Sequence, residues 1–349
     1  MTLCDLVYNN PSLNCFSIIG LEKNSGKTTV LQSLLSQNHT YTKAVTSIGY
    51  DGEDTDLVTQ TPKPSVYVSA GTLVATAAGL LSKCDFTREL LCFTGLYTPL
   101  GEVIMLRALS DGYARLAGPS ATKEMAKVIK LFYEYKAEKI FIDGAAQRKS
   151  TAAMSLSDAC ILASGASFSH DISGIVSETA HFVELLNLPV LDCCKISVKS
   201  ETEITEANDC IIYDENYNIT NSFNALDELS ADFLASHVIN SKTDKKSTAF
   251  FSGVVSNLFI NRFLNKVKNL DTLTIAALDG TRFLISPAQY AELKRRNAVL
   301  KTLKSLNLIA VTVNPFSPKG FVLNAQELLT EMQKRVKVPV FDVLAPQNI

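Results

Sequence analysis

Residues 25–29 read Ser-Gly-Lys-Thr-Thr, a grouping that can hold the phosphates of a nucleotide. Gly26 lets the backbone approach an anion closely, and the amide groups at the start of a following helix point at it. Lys27 can place a positive charge on the β- and γ-phosphates, and the Thr28 hydroxyl can ligate Mg²⁺. The expected phosphate-binding set is Lys23, Asn24, Ser25, Gly26, Lys27, Thr28 and Thr29.

The spacing of this loop departs from the usual P-loop pattern, G-x-x-x-x-G-K-[ST]. That pattern places its first glycine at position 21, which is Leu21, whereas Gly20 comes one residue earlier. An apolar β-type run over residues 16–19 precedes the loop and a helical run over 30–35 follows it, which is the context that the motif requires. We interpret the segment as a phosphate loop with an altered entry. The alternative is a chance Gly-Lys-Thr in an ordinary strand, turn and helix.

Lys23 is a second basic residue of the same loop. One subclass of P-loop proteins carries an early lysine that often acts across a dimer, but that lysine stands five residues before the second. Lys23 stands four residues before Lys27, and Glu22 holds the subclass position. Lys23 is therefore either a trans-acting lysine, a neighbour of the phosphates or a solvated charge.

Acidic residues follow two further predicted strands. Asp143 closes the apolar strand that starts at Lys139, as the Walker B aspartate does, and can hold Mg²⁺ directly or through water. Asp51, Glu53 and Asp54 follow another strand, where they can bind metal or orient an attacking water. The alternatives are a strand-capping aspartate and an exposed acidic turn. The expected catalytic residues are Lys27, Asp143 and Asp51, and the expected metal ligands are Thr28, Asp143 and Asp54.

Apolar strands alternate with helical segments along most of the chain, which predicts an α/β fold with a doubly wound, mostly parallel sheet of the P-loop NTPase type. The composition becomes polar and acidic after Cys194 and returns to α/β alternation later. We therefore expect a nucleotide-binding domain over residues 1–195 and a C-terminal α/β domain over 196–349. Because ligands of open α/β sheets gather at the carboxyl ends of the strands, the loop and the acidic residues should share one edge.

Single elements are also predicted. A small-residue helix is expected over residues 71–81 and a long helix over 287–306. A hairpin should join residues 102–107 to 113–116 around the turn signal Ser-Asp-Gly.

Two further groups are candidates for ligand or partner contacts. Arg107, Asp111 and Arg115 flank the expected hairpin. Residues 314–320, Asn-Pro-Phe-Ser-Pro-Lys-Gly, form a rigid loop after a late strand, in a position that holds ligands in α/β folds.

Composition limits the classes of partner. The 349 residues are 46% hydrophobic and 19% charged with a net charge of −2, so neither disorder nor nucleic-acid binding is expected. The eight cysteines form no Cys-x-x-Cys pair and there are only four histidines, which argues against a structural zinc site. With no apolar run of 18 residues and no secretory signal, we expect no membrane segment and a cytoplasmic location.

A set of stretches carries a family resemblance: residues 19–29, 46–54, 61–64, 71–73, 107–112, 117–120 and 141–145. They resemble the ATPase subunit of the reactivating factor for lysine 5,6-aminomutase and its ornithine aminomutase relatives. The likeness spans most of residues 15–195, with weaker agreement at 313–315 and 339–343.

This resemblance implies an ATP-driven chaperone that opens a damaged adenosylcobalamin-dependent aminomutase and lets cobalamin exchange. It implies a MutS-like partner ATPase subunit, and a homo- or hetero-oligomer is possible. Residues 26–29 would bind the phosphates and Mg²⁺, and Asp143 would be a metal ligand. Residues 51–54 would report the γ-phosphate to the partner.

Two other functions fit the same nucleotide site. One is an ATP-dependent small-molecule ligase or kinase of the dethiobiotin-synthase type, and the other is a nucleotide-gated interaction protein without hydrolysis. The C-terminal half carries no catalytic signature, which favours partner binding over small-molecule chemistry. The sequence does not decide between ATP and GTP, although the absence of an Asn-Lys-x-Asp guanine signature favours ATP.

Overall fold

The computed structural model describes residues 1–37, 40–49, 65–146, 156–191, 209–224, 229–240 and 246–344. The chain divides into two compact units. The first unit comprises Met1–Ala180 and Asn307–Ile349, and the second comprises His181–Leu306.

The strands of the two units are numbered along the chain. The first unit contains β1 (Cys15–Gly20), β2 (Lys43–Ser47), β3 (Val66–Val68), β4 (Leu73–Ala77), β5 (Arg88–Thr98), β6 (Gly101–Ala108), β7 (Gly112–Ala114), β8 (Lys139–Ala146) and β9 (Ala159–Gly165). The second contains β10 (Asp209–Tyr213), β11 (Ile219–Asn224), β12 (Ser247–Phe251), β13 (Val255–Ser256), β14 (Leu273–Ala277), β15 (Phe283–Leu284) and β16 (Val299–Thr302). The chain then returns to the first unit with β17 (Leu308–Asn314) and β18 (Val340–Phe341).

The α-helices are α1 (Leu3–Tyr8), α2 (Lys27–Leu35), α3 (Thr122–Glu134), α4 (Ile172–Leu186), α5 (Leu229–Asn240), α6 (Asn257–Lys266), α7 (Pro287–Arg295) and α8 (Ala325–Arg335). Two 3₁₀ helices span Ala78–Lys83 and Gly280–Arg282. Within the described ranges, no helix combines the length and the apolar character needed to cross a bilayer.

The first unit is built on a nine-stranded sheet in the order β18-β17-β9-β1-β8-β2-β4-β6-β5. Neighbouring strands are parallel except where β6 meets β4 and β5. β1 is buried at all of its positions, as expected for a central parallel strand that is covered on both faces. This large, mostly parallel sheet confirms the expected α/β class.

Helices cover both faces of this sheet. Phe16 and Phe141 pack with Leu31 and other residues of α2 on one face. Ile140 and the buried side of α3, including Phe132, form the core on the other face. Because β1, β2, β8, β9 and β17 are mutually parallel, their carboxyl ends lie along one edge, and the chain between β1 and α2 is at that edge.

The second unit has a five-stranded mixed sheet in the order β11-β10-β12-β14-β16. β12, β14 and β16 are parallel, whereas β10 pairs antiparallel with both β11 and β12. Its main core contains Phe251, Phe263, Ile275 and Leu293. The second unit is therefore also α/β.

The expected division into residues 1–195 and 196–349 differs from the two units. β17 and β18 follow the second unit in the chain, yet β17 pairs with β9 and β18 pairs with β17. Residues 307–349 therefore complete the first sheet, and the second unit is inserted before them. Pairing between strands that are about 150 residues apart leaves no local pattern in the sequence, which is why a single boundary was expected.

Three predicted elements were also wrong. Residues 71–81 form β4 and a 3₁₀ turn instead of a helix. Residues 102–107 lie in β6, which pairs with β5 and β4, while β7 pairs with β3, so the expected hairpin does not form. The helix expected over 287–306 ends at Arg295, because Asn297 adopts a left-handed backbone conformation and β16 begins two residues later.

Candidate functional site

The segment that joins β1 to α2, residues 21–26, is called the β1–α2 loop. Gly26 is the N-cap of α2 with φ of 102°, and Asn24 has φ of 63°, so two left-handed residues turn the loop. The N-cap supplies no side-chain hydrogen bond, and Val30 N makes the bond to Gly26 O at 3.0 Å. Because glycine has no side chain, the N-cap cannot cap the first-turn amides of α2, and these amides stand at the positive end of the helix dipole. This arrangement is suited to an anion.

The early glycine of the loop has a steric role. A Cβ on Gly20 would lie 2.3 Å from Ser25 Oγ and 3.0 Å from Lys27 Nζ, so a side chain at position 20 would displace both groups. Lys27 Nζ folds back over the loop and donates to Glu22 O at 3.5 Å. Gly20 therefore gives room to the lysine that the sequence singles out, although it stands one residue before the usual position.

Ser25 is the most informative side chain of the loop. It is 1% exposed, and its Oγ has no hydrogen-bond partner among the described residues. A buried hydroxyl without a partner costs about 1–3 kcal/mol, and such groups in native structures are commonly explained by a ligand, an ion or a water. The loop thus fits the oxygen-rich phosphates of a nucleotide, which would accept from this hydroxyl.

Asp143 lies at the same edge of the sheet. It pairs with Ile18 of β1 and Ser47 of β2, and its carbonyl accepts from Ile48 N at 3.0 Å. Phe141 belongs to the core on the α2 side, and alternate residues of a strand share a face, so Asp143 is on the face where α2 begins. The expectation that Asp143 closes its strand was wrong, since β8 continues to Ala146.

Asn314, the last residue of β17, lies against the β1–α2 loop. A Cβ on Gly26 would be 3.2 Å from Asn314 Cβ and 3.4 Å from its Nδ2. Asn314 Oδ1 accepts from Phe316 N at 3.1 Å, and its carbonyl accepts from Ala166 N at 2.9 Å. The loop that starts at Asn314 is therefore next to the phosphate-binding candidates. The sequence could not show this contact, because it depends on the order of the strands in the sheet, where only β9 separates β17 from β1.

The remaining expected site residues fall into two groups. Lys23 and Asn24 are exposed, while Thr28 and Thr29 are half-buried in the first turn of α2. Asp51 and Asp54 are in residues 50–64, outside the described residues. The preceding Gly49 lies two residues after Ser47, the pairing partner of Asp143.

Two of the three charged residues near the expected hairpin, Arg107 and Asp111, have side-chain partners, whereas Arg115 makes its contacts through the backbone, with Thr76 and Cys84. Arg107 pairs with Glu89 at 3.8 Å. Asp111 accepts from Tyr67 Oη at 2.7 Å and from Ala70 N at 2.9 Å, and the Tyr67 hydrogen bond lowers the pKa of this carboxyl. The first contact joins β6 to β5, and the second pair ties the turn before β7 to β3 and to the turn after it, so Arg107 and Asp111 are occupied within the fold.

No cluster of three or more His, Cys, Asp or Glu side chains suited to a metal occurs in the part of the chain that the structure describes. Mg²⁺ in nucleotide sites takes one or two protein oxygens together with phosphate and water oxygens, so the pair Thr28 and Asp143 would suffice.

Comparison of the chain with protein-family models, with curated proteins and with solved structures found no match.

Proposed function

We propose that the protein binds ATP with Mg²⁺ at the β1–α2 loop and hydrolyses it slowly. The observation that carries this proposal is the buried Ser25 hydroxyl without a partner in the described residues, next to the start of α2. Each of the two features suits an anion, and the loop brings them together with Lys27.

The proposed roles follow from the positions of the side chains. Lys27 would exchange its long hydrogen bond to Glu22 O for hydrogen bonds to the β- and γ-phosphates. A hydrogen bond between an ammonium and a charged phosphate is stronger than one to a neutral carbonyl. Thr28 and Asp143 would hold Mg²⁺, which when bound neutralises charge on the phosphate oxygens. Asp51 and Asp54 remain proposed for the attacking water and for the metal.

Asn314 adds a contact beyond the phosphates. Its Oδ1 is engaged by Phe316 N, which leaves the Nδ2 side of the amide towards Gly26. We propose that this amide contacts the bound nucleotide.

We also propose that ATP turnover drives the reactivation of an adenosylcobalamin-dependent aminomutase, together with a MutS-like partner ATPase. The family resemblance of residues 15–195 supports this part of the proposal. The second unit would then contact a partner, and residues 51–54 would couple the γ-phosphate to that contact.

The test is ATP hydrolysis and nucleotide binding by three variants in parallel. Lys27→Ala should lower hydrolysis by about 100-fold or more, because charge stabilisation of the transferred phosphoryl group is lost. Asp143→Asn should lower Mg²⁺-dependent hydrolysis more than it lowers nucleotide affinity. Lys130→Ala is the matched control, since Lys130 is an exposed lysine of α3. Equal activity of Lys27→Ala and Lys130→Ala would refute the proposed site.

The client is tested separately. Hydrolysis that rises when an inactivated aminomutase is added supports reactivation. Hydrolysis that rises only with a small metabolite would instead support the dethiobiotin-synthase type of enzyme.

A further inference from the structure

The second unit contains two buried polar atoms without a hydrogen-bond partner among the described residues, Arg282 Nε and Thr302 Oγ1. Thr302 is 1% exposed. Burying a donor without a partner is unfavourable, and more so for a charged group, so a missing partner is expected at both atoms. Neither residue belongs to the nucleotide site proposed above.

Thr302 stands at the carboxyl end of a parallel strand, and Arg282 lies in the turn that follows the carboxyl end of the neighbouring strand. Thr302 ends β16 and pairs with Ala277, the last residue of β14, and Arg282 follows five residues after Ala277. Lys304 N donates to Leu278 O at 2.9 Å, which brings the chain after Thr302 beside the chain that leads to Arg282. This edge is where open parallel sheets bind their ligands.

The two residues also share one face of the sheet. Leu300 and Ala277 belong to the same core, and Thr302 is on the face of Leu300 because alternate residues of a strand share a face. Phe283 and Ile285, which follow Arg282, are buried in that core as well. The turn that carries Arg282 therefore covers the face on which Thr302 lies.

Asp279 holds this turn in shape. It is 1% exposed, and its Oδ1 accepts from Thr281 N at 2.9 Å and from Thr281 Oγ1 at 2.5 Å. Arg282 N donates to Asp279 O at 3.2 Å. The Asp279 carboxylate is thus used within its own turn, and the structure shows no ion pair between it and the Arg282 guanidinium.

We infer that the carboxyl edge of β14 and β16 binds a small molecule through its phosphate or carboxylate group, with Arg282 as the charged donor and Thr302 as the hydroxyl donor. A guanidinium is always charged and presents a planar fork of donors that matches an oxyanion, and a hydroxyl can add a further donor.

The experiment is calorimetric titration of the full chain carrying Lys27→Ala, which removes the nucleotide site from the measurement. The probes are inorganic phosphate and succinate, so that the two sources of an oxyanion are distinguished. Saturable binding of one probe is expected. It should weaken at least about tenfold in Arg282→Met, because a charge-assisted hydrogen bond is lost.

Two further variants keep the test decisive if Arg282→Met folds poorly. Thr302→Val should weaken the same probe severalfold while the ligand-free chain melts at an equal or higher temperature, because an unpaired buried hydroxyl is removed. Arg295→Gln is the matched control, since Arg295 is 73% exposed and pairs with Glu292. Absence of saturable binding by both probes, or undiminished binding by Thr302→Val and Arg282→Met, would overturn the inference.

Discussion

Single residues give the β1–α2 loop its shape. Gly26 turns the chain with a positive φ, Gly20 leaves room for the Lys27 ammonium, and Ser25 keeps a hydroxyl buried in the loop. The types of these residues were evident from the sequence, since all lie within one short segment. The reason for the early glycine was not, because it depends on where the Lys27 and Ser25 side chains fold.

Gly20→Ala tests this explanation. The added Cβ would meet Ser25 Oγ and Lys27 Nζ, so both groups must move away from their positions. ATP affinity should fall by about tenfold or more, because the two groups proposed to contact the phosphates are displaced. The third neighbour of the added Cβ is the backbone oxygen of Glu22 at 3.1 Å, which must move by only a few tenths of an ångström, so a folded chain with a cooperative melt is expected. Gly174→Ala in α4 is the control, since its Cβ would have only ordinary contacts from 3.5 Å. Equal ATP affinity in the two variants would show that the early glycine has no such role.

At the scale of elements, the sequence predicted what is local. The run of β1, loop and α2 carries its own periodicity and turn residues, and in the structure β1 and α2 include the runs expected at 16–19 and 30–35. β4 was predicted as a helix because its small residues, Leu-Val-Ala-Thr-Ala, carry a weak propensity that the surrounding sheet overrides. The contact of Asn314 with Gly26 could not be predicted, because it depends on the order of strands that are distant in sequence.

Helices α5 and α6 are joined by a charged cluster whose strength depends on pH. Asp232 accepts from Arg262 Nε and Nη2 at 2.8 Å and from Lys266 Nζ at 2.9 Å. The hydrogen bonds from Arg262 and then Lys266 lower the pKa of Asp232. A lowered carboxyl pKa stabilises the fold above the unfolded value of about 3.9, and this contribution is lost as the pH falls through the folded pKa.

Asp232→Asn should therefore lower the free energy of unfolding at pH 7, and the difference from the parent chain should shrink below about pH 4. Urea unfolding at pH 7 and at pH 3 measures both quantities. Glu134→Gln is the control, because Glu134 is exposed and lies 3.9 Å from Lys130. A deficit of Asp232→Asn that stays constant down to pH 3 would contradict the assigned cause.

At the scale of the whole molecule, the sheet of the first unit is built from two separate parts of the chain, residues 1–180 and 307–349. β9 is buried at every position, and residues 307–349 supply the strands that cover its outer edge. The same residues supply Asn314 to the nucleotide-site candidate. This discontinuity was not predictable from composition, which changes at a different place.

A chain that ends at residue 195 should not unfold cooperatively, because the buried edge of β9 is left without β17. It should also bind no ATP. Thermal unfolding followed by near-UV circular dichroism, with the full chain in parallel, measures the first property. A sharp thermal transition together with ATP binding by the fragment would contradict this prediction and would support a domain boundary at residue 195.

Calorimetric titration of Mg²⁺ and ATP into the full chain and into Ser25→Ala tests the central claim most directly. The parent chain should show saturable binding. Ser25→Ala should bind about 3- to 10-fold more weakly while its melting temperature without nucleotide is unchanged or higher, because a buried hydroxyl without a partner is removed. A flat titration with the folded parent chain, or equal affinity in both chains, would contradict the proposal that the β1–α2 loop holds the phosphates of ATP.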